Sequence, residues 1–217
     1  MSPAAVPEPF ECRPLAPADR ERFCALIAEA FELDPSMAYF FGPSGGDADE
    51  AFHRRALAGF VFDKALALGE TVEGAFEGGR LAACAVVEPR ASGPGALGAL
   101  RLIPAAIALS KALPRGSLGR MNRFAAFARR PLASGRWRYL TMIGSSPAYR
   151  GRGGAAALLE RAIVAARLDR SCQGLALDTE NPDNLPYYGR RGFELHSSGE
   201  FKGFTIYRMI HRSGGEA

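Results

Sequence analysis

The sequence predicts a mixed α/β (α+β) protein, with a sheet of about seven strands and helices on both of its faces. Three observations predict it. Strand-like and helix-like stretches alternate along most of the 217 residues, and the chain closes on two successive strands. Apolar residues recur at helical spacing in several segments. The composition, 47% apolar and 23% charged, suits one domain with a large core.

Residues 1–9, rich in Pro and Ala, are expected to be flexible up to a first strand in FECRPLA. PADRERFCALIAEAFE places Pro17 at a helix start and Phe23, Leu26, Ile27, Ala30 and Phe31 on one face. LDPSMAYFFGPSGG reads as turn chemistry around an aromatic cluster. A second helix follows in DADEAFHRRALAGFVFDKALALG, with Asp47 or Asp49 near its N-cap. TVEGAFEGGRLAACAVVEP is a hairpin of two strands across Glu-Gly-Gly-Arg. Residues 91–135 hold two helices bounded or broken by Pro104 and Pro114. Next come a strand at 137–145, a Gly/Arg loop, a helix at 154–169 and a strand in GLALDT. A short helix in NLPYYGRR and strands in FELHSSGEF and FTIYRMIHR complete a single domain over 10–212, with 213–217 as a flexible tail.

No apolar run approaches the roughly 20 residues that span a bilayer, and MSPAAVPEPF lacks the basic and apolar regions of a signal peptide. A cytoplasmic location without a membrane partner is expected. Cys12, Cys24, Cys84 and Cys172 show no metal spacing and the three histidines are isolated, so no metal is expected. The cysteines read as reduced, mostly buried apolar residues. The net charge of +4 hides a division. Twelve Lys or Arg and no acid lie between Glu88 and Glu160, while the rest of the chain carries 15 basic and 23 acidic residues. A solvated basic face and a site for an anionic ligand or partner fit this block about equally. Segment 90–138 reads as a homodimer surface, an acceptor lid or simply a soluble face. It suits nucleic acid less, because RLIPAAIALSKAL is apolar and no basic run is interleaved with aromatics.

The most informative stretch is YLTMIGSSPAYRGRGGAAALLERAIVAARLD, residues 139–169. Glycine lets backbone N–H groups approach a ligand, and a helix start leaves about four of them unpaired with partial positive charge. RGRGGA at 150–155 therefore suits a phosphate or pyrophosphate, against the plainer reading of a flexible turn. It is neither a G-x-x-x-x-G-K-[ST] loop nor a G-x-G-x-x-G fingerprint.

With its surroundings, this loop resembles the GNAT superfamily of acyl-CoA-dependent N-acetyltransferases. Arg150 to Ala155 match the signature Q/R-x-x-G-x-G/A, after a strand with Pro147 at its corner and before a helix whose inner face carries Leu158, Leu159, Ala162, Ile163 and Ala166. Asn184, Tyr188, Gly192 and Phe193 match a second motif, Asn-x-x-x-Tyr-x-x-x-Gly-Phe. LDTENPDNLPYYGRRGF is similar to the LETSxPxNxPFYERxGF pattern of puromycin N-acetyltransferase-like members, as is the W-x-x-L-x-x-x-G-x-S-P strand. The resemblance implies a mostly antiparallel, twisted sheet splayed between strands four and five, with extra helices between strands three and four. It implies acetyl transfer from acetyl-CoA to an amine, by direct attack in a ternary complex. Met142, Ile143, Gly144 and Ser145 would pair with the pantetheine arm, and Arg150, Gly151, Arg152, Gly153, Gly154 and Ala155 would hold the pyrophosphate. A backbone N–H at Ile143 or Gly144 would polarise the thioester carbonyl, a contribution of roughly 3 kcal/mol when well aimed.

Tyr188 holds the family's general-acid position; its plainer reading is a packing aromatic. Asn184 either touches the cofactor arm or caps the short helix. Asp178 and Glu180 share a strand face opposite Leu175, Leu177 and Thr179, as bases or as solvated strand-end acids. WRYLTMIG, where many family members carry a base, has no carboxylate. By family analogy Glu29, Glu32, Asp34, Phe31, Tyr39, Phe40 and Phe41 face the acceptor, and an acidic, aromatic pocket suits a cationic small-molecule amine. The other functions to weigh are a non-catalytic acyl-CoA-binding module and acetylation of a protein or peptide amine.

Overall fold

The hairpin turns through Gly78 and Gly79, with φ of 55° and 74°, and its arms are β2 (Thr71–Glu77) and β3 (Arg80–Glu88). The structure, a computed structural model, describes residues 10–42, 46–89, 96–132 and 134–214. The expected flexible start, 1–9, and the end of the expected tail, 215–217, lie outside them. The remaining strands are β1 (Glu11–Pro14), β4 (Trp137–Ser145), β5 (Gly174–Thr179), β6 (Glu194–Phe201) and β7 (Phe204–Arg212). Together they form one seven-stranded sheet, ordered β1-β2-β3-β4-β5-β7-β6. Only β4 and β5 run parallel; the other neighbours are antiparallel.

Strand β3 is buried along nearly its whole length because helices cover both faces of the sheet there. Cys84 and Val86 point to one core, which also holds Phe23, Ile27, Phe62 and Met142. Ala83, Ala85 and Val87 point to the other, with Leu158, Leu159, Ile163, Leu177 and Tyr188. Helix α1 (Arg20–Ala30) buries Phe23, Leu26 and Ile27, the face expected from its periodicity. Residues 33–46 are more ordered than the expected turn. Asp34 accepts the Ser36 N–H and Pro35 stands in the first turn, so Pro35–Phe41 winds into helix α2. Helix α3 (Asp47–Leu68) starts after Gly46, has Asp47 and Asp49 in its first turn, and stops at Gly69 with φ 68°. Its Phe62 ring packs 5.1 Å from that of Phe23.

Segment 96–132 forms α4 (Ala96–Arg101), α5 (Ile103–Ala112) and α6 (Ser117–Arg129). The first of the two expected helices is thus split, with Pro104 in the first turn of α5. Arg208 of β7 holds the end of α6, donating to the carbonyls of Phe127 and Ala128 at 2.8 Å each. Helix α7 (Gly154–Leu168) buries Leu158, Leu159, Ala162, Ile163 and Ala166, and α8 (Asn184–Gly189) is short. No described helix is long and apolar enough to cross a membrane.

One irregularity positions everything that follows. β4 pairs with β5 only through Trp137–Leu140 and Gly174–Leu177. Beyond that the register of β4 on β3 jumps from Val87↔Leu140 to Val86↔Met142, leaving Thr141 as an extra residue. Such a bulge bends a strand. β5 continues along β7 as far as Thr179↔Tyr207, while β4 stays with β3 to Ser145. The sheet therefore splits, and backbone groups of β4 beyond Leu140 on that side lack a strand partner.

Candidate active site

Two cavities meet at the split, an outer cleft of about 940 Å³ and an inner one of about 320 Å³. Both are lined by Phe31, Asp34, Ile143, Glu180, Asn184 and Tyr188, which form the passage between them.

The outer cleft is built from the Gly/Arg loop. Gly151 and Gly153 have φ of 77° and 102°, a region that Cβ makes costly. The first bond of α7 runs from the Ala157 N–H to the Gly153 carbonyl at 2.9 Å. The N–H groups of Gly154, Ala155 and Ala156 are therefore outside the helix ladder, at its positive end. Gly154 seats this helix start on the sheet, since a Cβ there would lie 3.3 Å from Ala83 Cβ and from the Phe10 ring. Arg150, exposed, and Arg191, whose guanidinium lies 3.9 Å from the Tyr187 ring centre, both line the cleft. Ile143, Gly144 and Ser145 form its β4 wall. A Cβ on Gly144 would stand 2.8 Å from Ala30 Cβ, so the glycine lets α1 approach β4.

The inner cavity lies between the split and helices α2, α3 and α6. Asp178, half-buried, lines it and accepts a hydrogen bond from the Tyr139 hydroxyl. Burial pushes Asp178 up, Arg129 pulls it back, and the balance leaves it at about 6. Burial and the neighbouring Asp178 push Glu180 up further, and its Oε1 is buried without a hydrogen-bond partner. The pair therefore holds one proton near neutral pH. Burial also raises Asp34, against the hydrogen bonds from Ser36, and holds the Tyr188 hydroxyl well above its ordinary range. Deeper in, Glu88 accepts from Lys64 at 2.6 Å and from both terminal nitrogens of Arg129 at 2.6 and 2.9 Å. Burial pushes Glu88 up, but Arg129 and Lys64 outweigh it and hold it at about 2. The Arg129 guanidinium lies 4.4 Å from the Tyr139 ring centre, which completes a chain from Glu88 to Asp178.

The sequence-named residues divide as follows. Ile143, Gly144, Ser145, Arg150, Gly151, Gly153, Ala155, Asn184 and Tyr188 surround the outer cleft, with Glu180 at the passage. Asp178, Met142 and Phe40 line the inner cavity, and Phe31 lines both. Asn184 does not cap α8: Asp183 holds that position, and Asn184 donates to Thr179 Oγ1 at 2.9 Å. Arg152 is turned to Glu77 at 2.8 Å and lines neither cavity. Glu32 is exposed beyond α1, and Tyr39, about 100° around α2 from Phe40, packs on Phe201 and Phe204 instead. The sequence did not single out Tyr139, Phe124, Arg129 or Arg191. Only Arg129 left a trace there, as part of the cationic block.

The sequence model of the acetyltransferase (GNAT) family matches residues 47–193, more than half of the chain. No curated protein matches by sequence. Among solved structures, the chain is similar to a histone acetyltransferase HPA2 and related acetyltransferase from Corynebacterium glutamicum. That match has a TM-score of 0.67 at 18% identity, over 96% of this chain and 99% of that one. A Drosophila melanogaster polyamine N-acetyltransferase that forms N-acetylagmatine matches with a TM-score of 0.53 at 17% identity, over 94% and 99%. The NatC complex bound to Gag peptide and CoA matches with 0.52 at 14% identity, over 94% and 98%. At these identities the likeness is one of fold.

Proposed function

The chain belongs to the GNAT acetyltransferase family, and from that premise we propose that it transfers an acetyl group from acetyl-CoA to the primary amine of a small molecule in a ternary complex. The observation that carries this reading is the passage itself. Tyr188, Glu180 and Asn184 stand where an outer cleft with an anion-binding helix start meets an inner cavity containing Asp178. The residues fit the co-substrate: the free N–H groups of Gly154–Ala156, with Arg150 and Arg191, suit a pyrophosphate, and the unpaired edge of β4 suits the amides of pantetheine. Bound there, acetyl-CoA supplies an acyl group activated as a thioester.

Asp178 takes a proton from the acceptor ammonium, since a carboxylate near 6 is poised for that exchange at neutral pH. Glu180 keeps the pair's own proton and holds Asp178 in place. Tyr188, un-ionised until the thioester breaks, gives its hydroxyl proton to the departing sulfur, and the nitrogen that becomes the amide gives up the proton that restores it. A backbone N–H of Ile143 or Gly144 faces the thioester oxygen. The run Leu177–Phe193 supports a narrower placement among puromycin N-acetyltransferase-like members.

The test is thiol release from acetyl-CoA over a panel of small amines, antibiotics and peptides, with Tyr188→Phe alongside. Turnover on a small amine that falls about 100-fold or more in the variant is expected. Turnover on peptides alone would move the acceptor to protein, and binding of acetyl-CoA without any turnover would leave a binding module.

A further inference from the structure

Resting on the acetyl-transfer reading, we propose that the acceptor is an arylalkylamine: one ammonium on a compact aromatic body, in preference to a diamine, a polyamine or an amino acid. The inner cavity, at about 320 Å³, lies at the small end of the range for ligand sites, roughly 300–1,000 Å³. Between the passage and a charged far end, its wall is largely apolar and aromatic. Phe40 of α2, Phe60 of α3, and Met121 and Phe124 of α6 stand around it. The Phe40 and Phe124 rings already meet edge to face at 5.1 Å, a frame on which a further ring can stack.

The charges divide along the cavity. Where the passage opens into the inner cavity, Asp34, Asp178 and Glu180 crowd together, each raised by burial, and a cation relieves that crowding. An α-carboxylate beside the reacting amine would add to it, which disfavours amino acids. One tyrosine ring further in, the pattern reverses. Lys64 and Arg129 flank Glu88, and both Glu88 oxygens already accept from them. A second ammonium reaching that end would meet two cations already held by acids, Arg129 by Glu88 and Lys64 by Glu88 and by Glu70, which stands behind Lys64 and does not line the cavity. The cavity therefore recognises one charge at the passage and an uncharged ring beyond it.

The experiment compares kcat/KM for phenethylamine and tryptamine with putrescine, agmatine and phenylalanine, by thiol release. The arylalkylamines are expected to lead by about tenfold or more. In Phe124→Leu the KM for phenethylamine should rise several-fold while that for acetyl-CoA holds. In Met121→Glu, which adds a carboxylate to the inner wall, the preference should move toward agmatine. Equal or better efficiency on putrescine or agmatine in the unaltered protein overturns the acceptor class and leaves acetyl transfer standing. An unchanged preference in Met121→Glu also overturns the class, because the wall would then not set it. Acetyl-CoA binding with no turnover on any of these amines or on the wider panel overturns both readings.

Discussion

Asp178 is held in a state that stability alone would not choose. Burial favours its protonated form, and Arg129 and Arg208 offset only part of this, leaving it at about 6. The reaction needs it ionised, so kcat/KM should fall as pH drops through about 6, and Asp178→Asn should remove that limb with most of the rate. The stability consequence has the opposite sign. A carboxyl raised in the folded state binds protons there more tightly than in the unfolded chain, so its ionisation destabilises the fold above its ordinary unfolded value. Asp178→Asn, whose amide oxygen can still accept from Tyr139, should therefore be more stable than the parent at pH 8, by about 1–3 kcal/mol. At roughly 2–4 °C per kcal/mol this is measurable by thermal melting. The gain should fade as pH falls from about 6 toward 3, below which both states are protonated; a gain that persists there would remove burial of charge as its cause.

At the scale of elements, the site is made by β4 leaving β5, and α1 is packed tightly where it does so. Gly144→Ala would place a Cβ 2.8 Å from Ala30 Cβ, on a helix that cannot simply rotate a side chain away. A cost of about 1–3 kcal/mol is expected, together with weaker acetyl-CoA binding. Adding Ala30→Gly should recover much of both, whereas a loss that stays additive would place the strain elsewhere. Helix α6 acts on the site from the other side through Arg129. Arg129→Met should shift the acid limb of the pH profile upward, because the charge that pulls Asp178 down is gone, and Arg129→Lys should bring the limb back. A merely structural arginine would move stability and leave the limb where it was. The elements differ in how far they could be read from sequence. The faces of α1 and α7 were legible because each is a local repeat of apolar residues. Helix α2 was obscured by its Gly, Pro and aromatic neighbours, although Asp34-Pro35-Ser36 carried the capping signal. Of the inner wall only Phe40 was legible, since Phe124 reaches it only through the return of a helix inserted much later in the chain.

Across the whole molecule, the cationic block does not act as one surface. Arg129, Arg138 and Arg152 pair with Glu88, Asp169 and Glu77, acids that lie outside the block in sequence. Folding thus neutralises part of it and leaves Arg150 at the outer cleft, with Arg191 supplied from within the second motif. Arg150 is exposed and, among the described residues, has no acidic partner, so its pull on a pyrophosphate is screened by salt. The dissociation constant for acetyl-CoA should therefore rise with ionic strength, by about 3- to 10-fold between 0.05 and 0.5 M. Arg150→Ala should weaken binding at low salt and flatten this dependence. Arg152→Ala should flatten it less than half as much, because that guanidinium is held by Glu77 away from the cleft. Calorimetric titration at three salt concentrations distinguishes the two. Equal flattening by both variants would mean that the ligand draws Arg152 away from Glu77, and the loop would then act as a single charge in place of two separately held arginines.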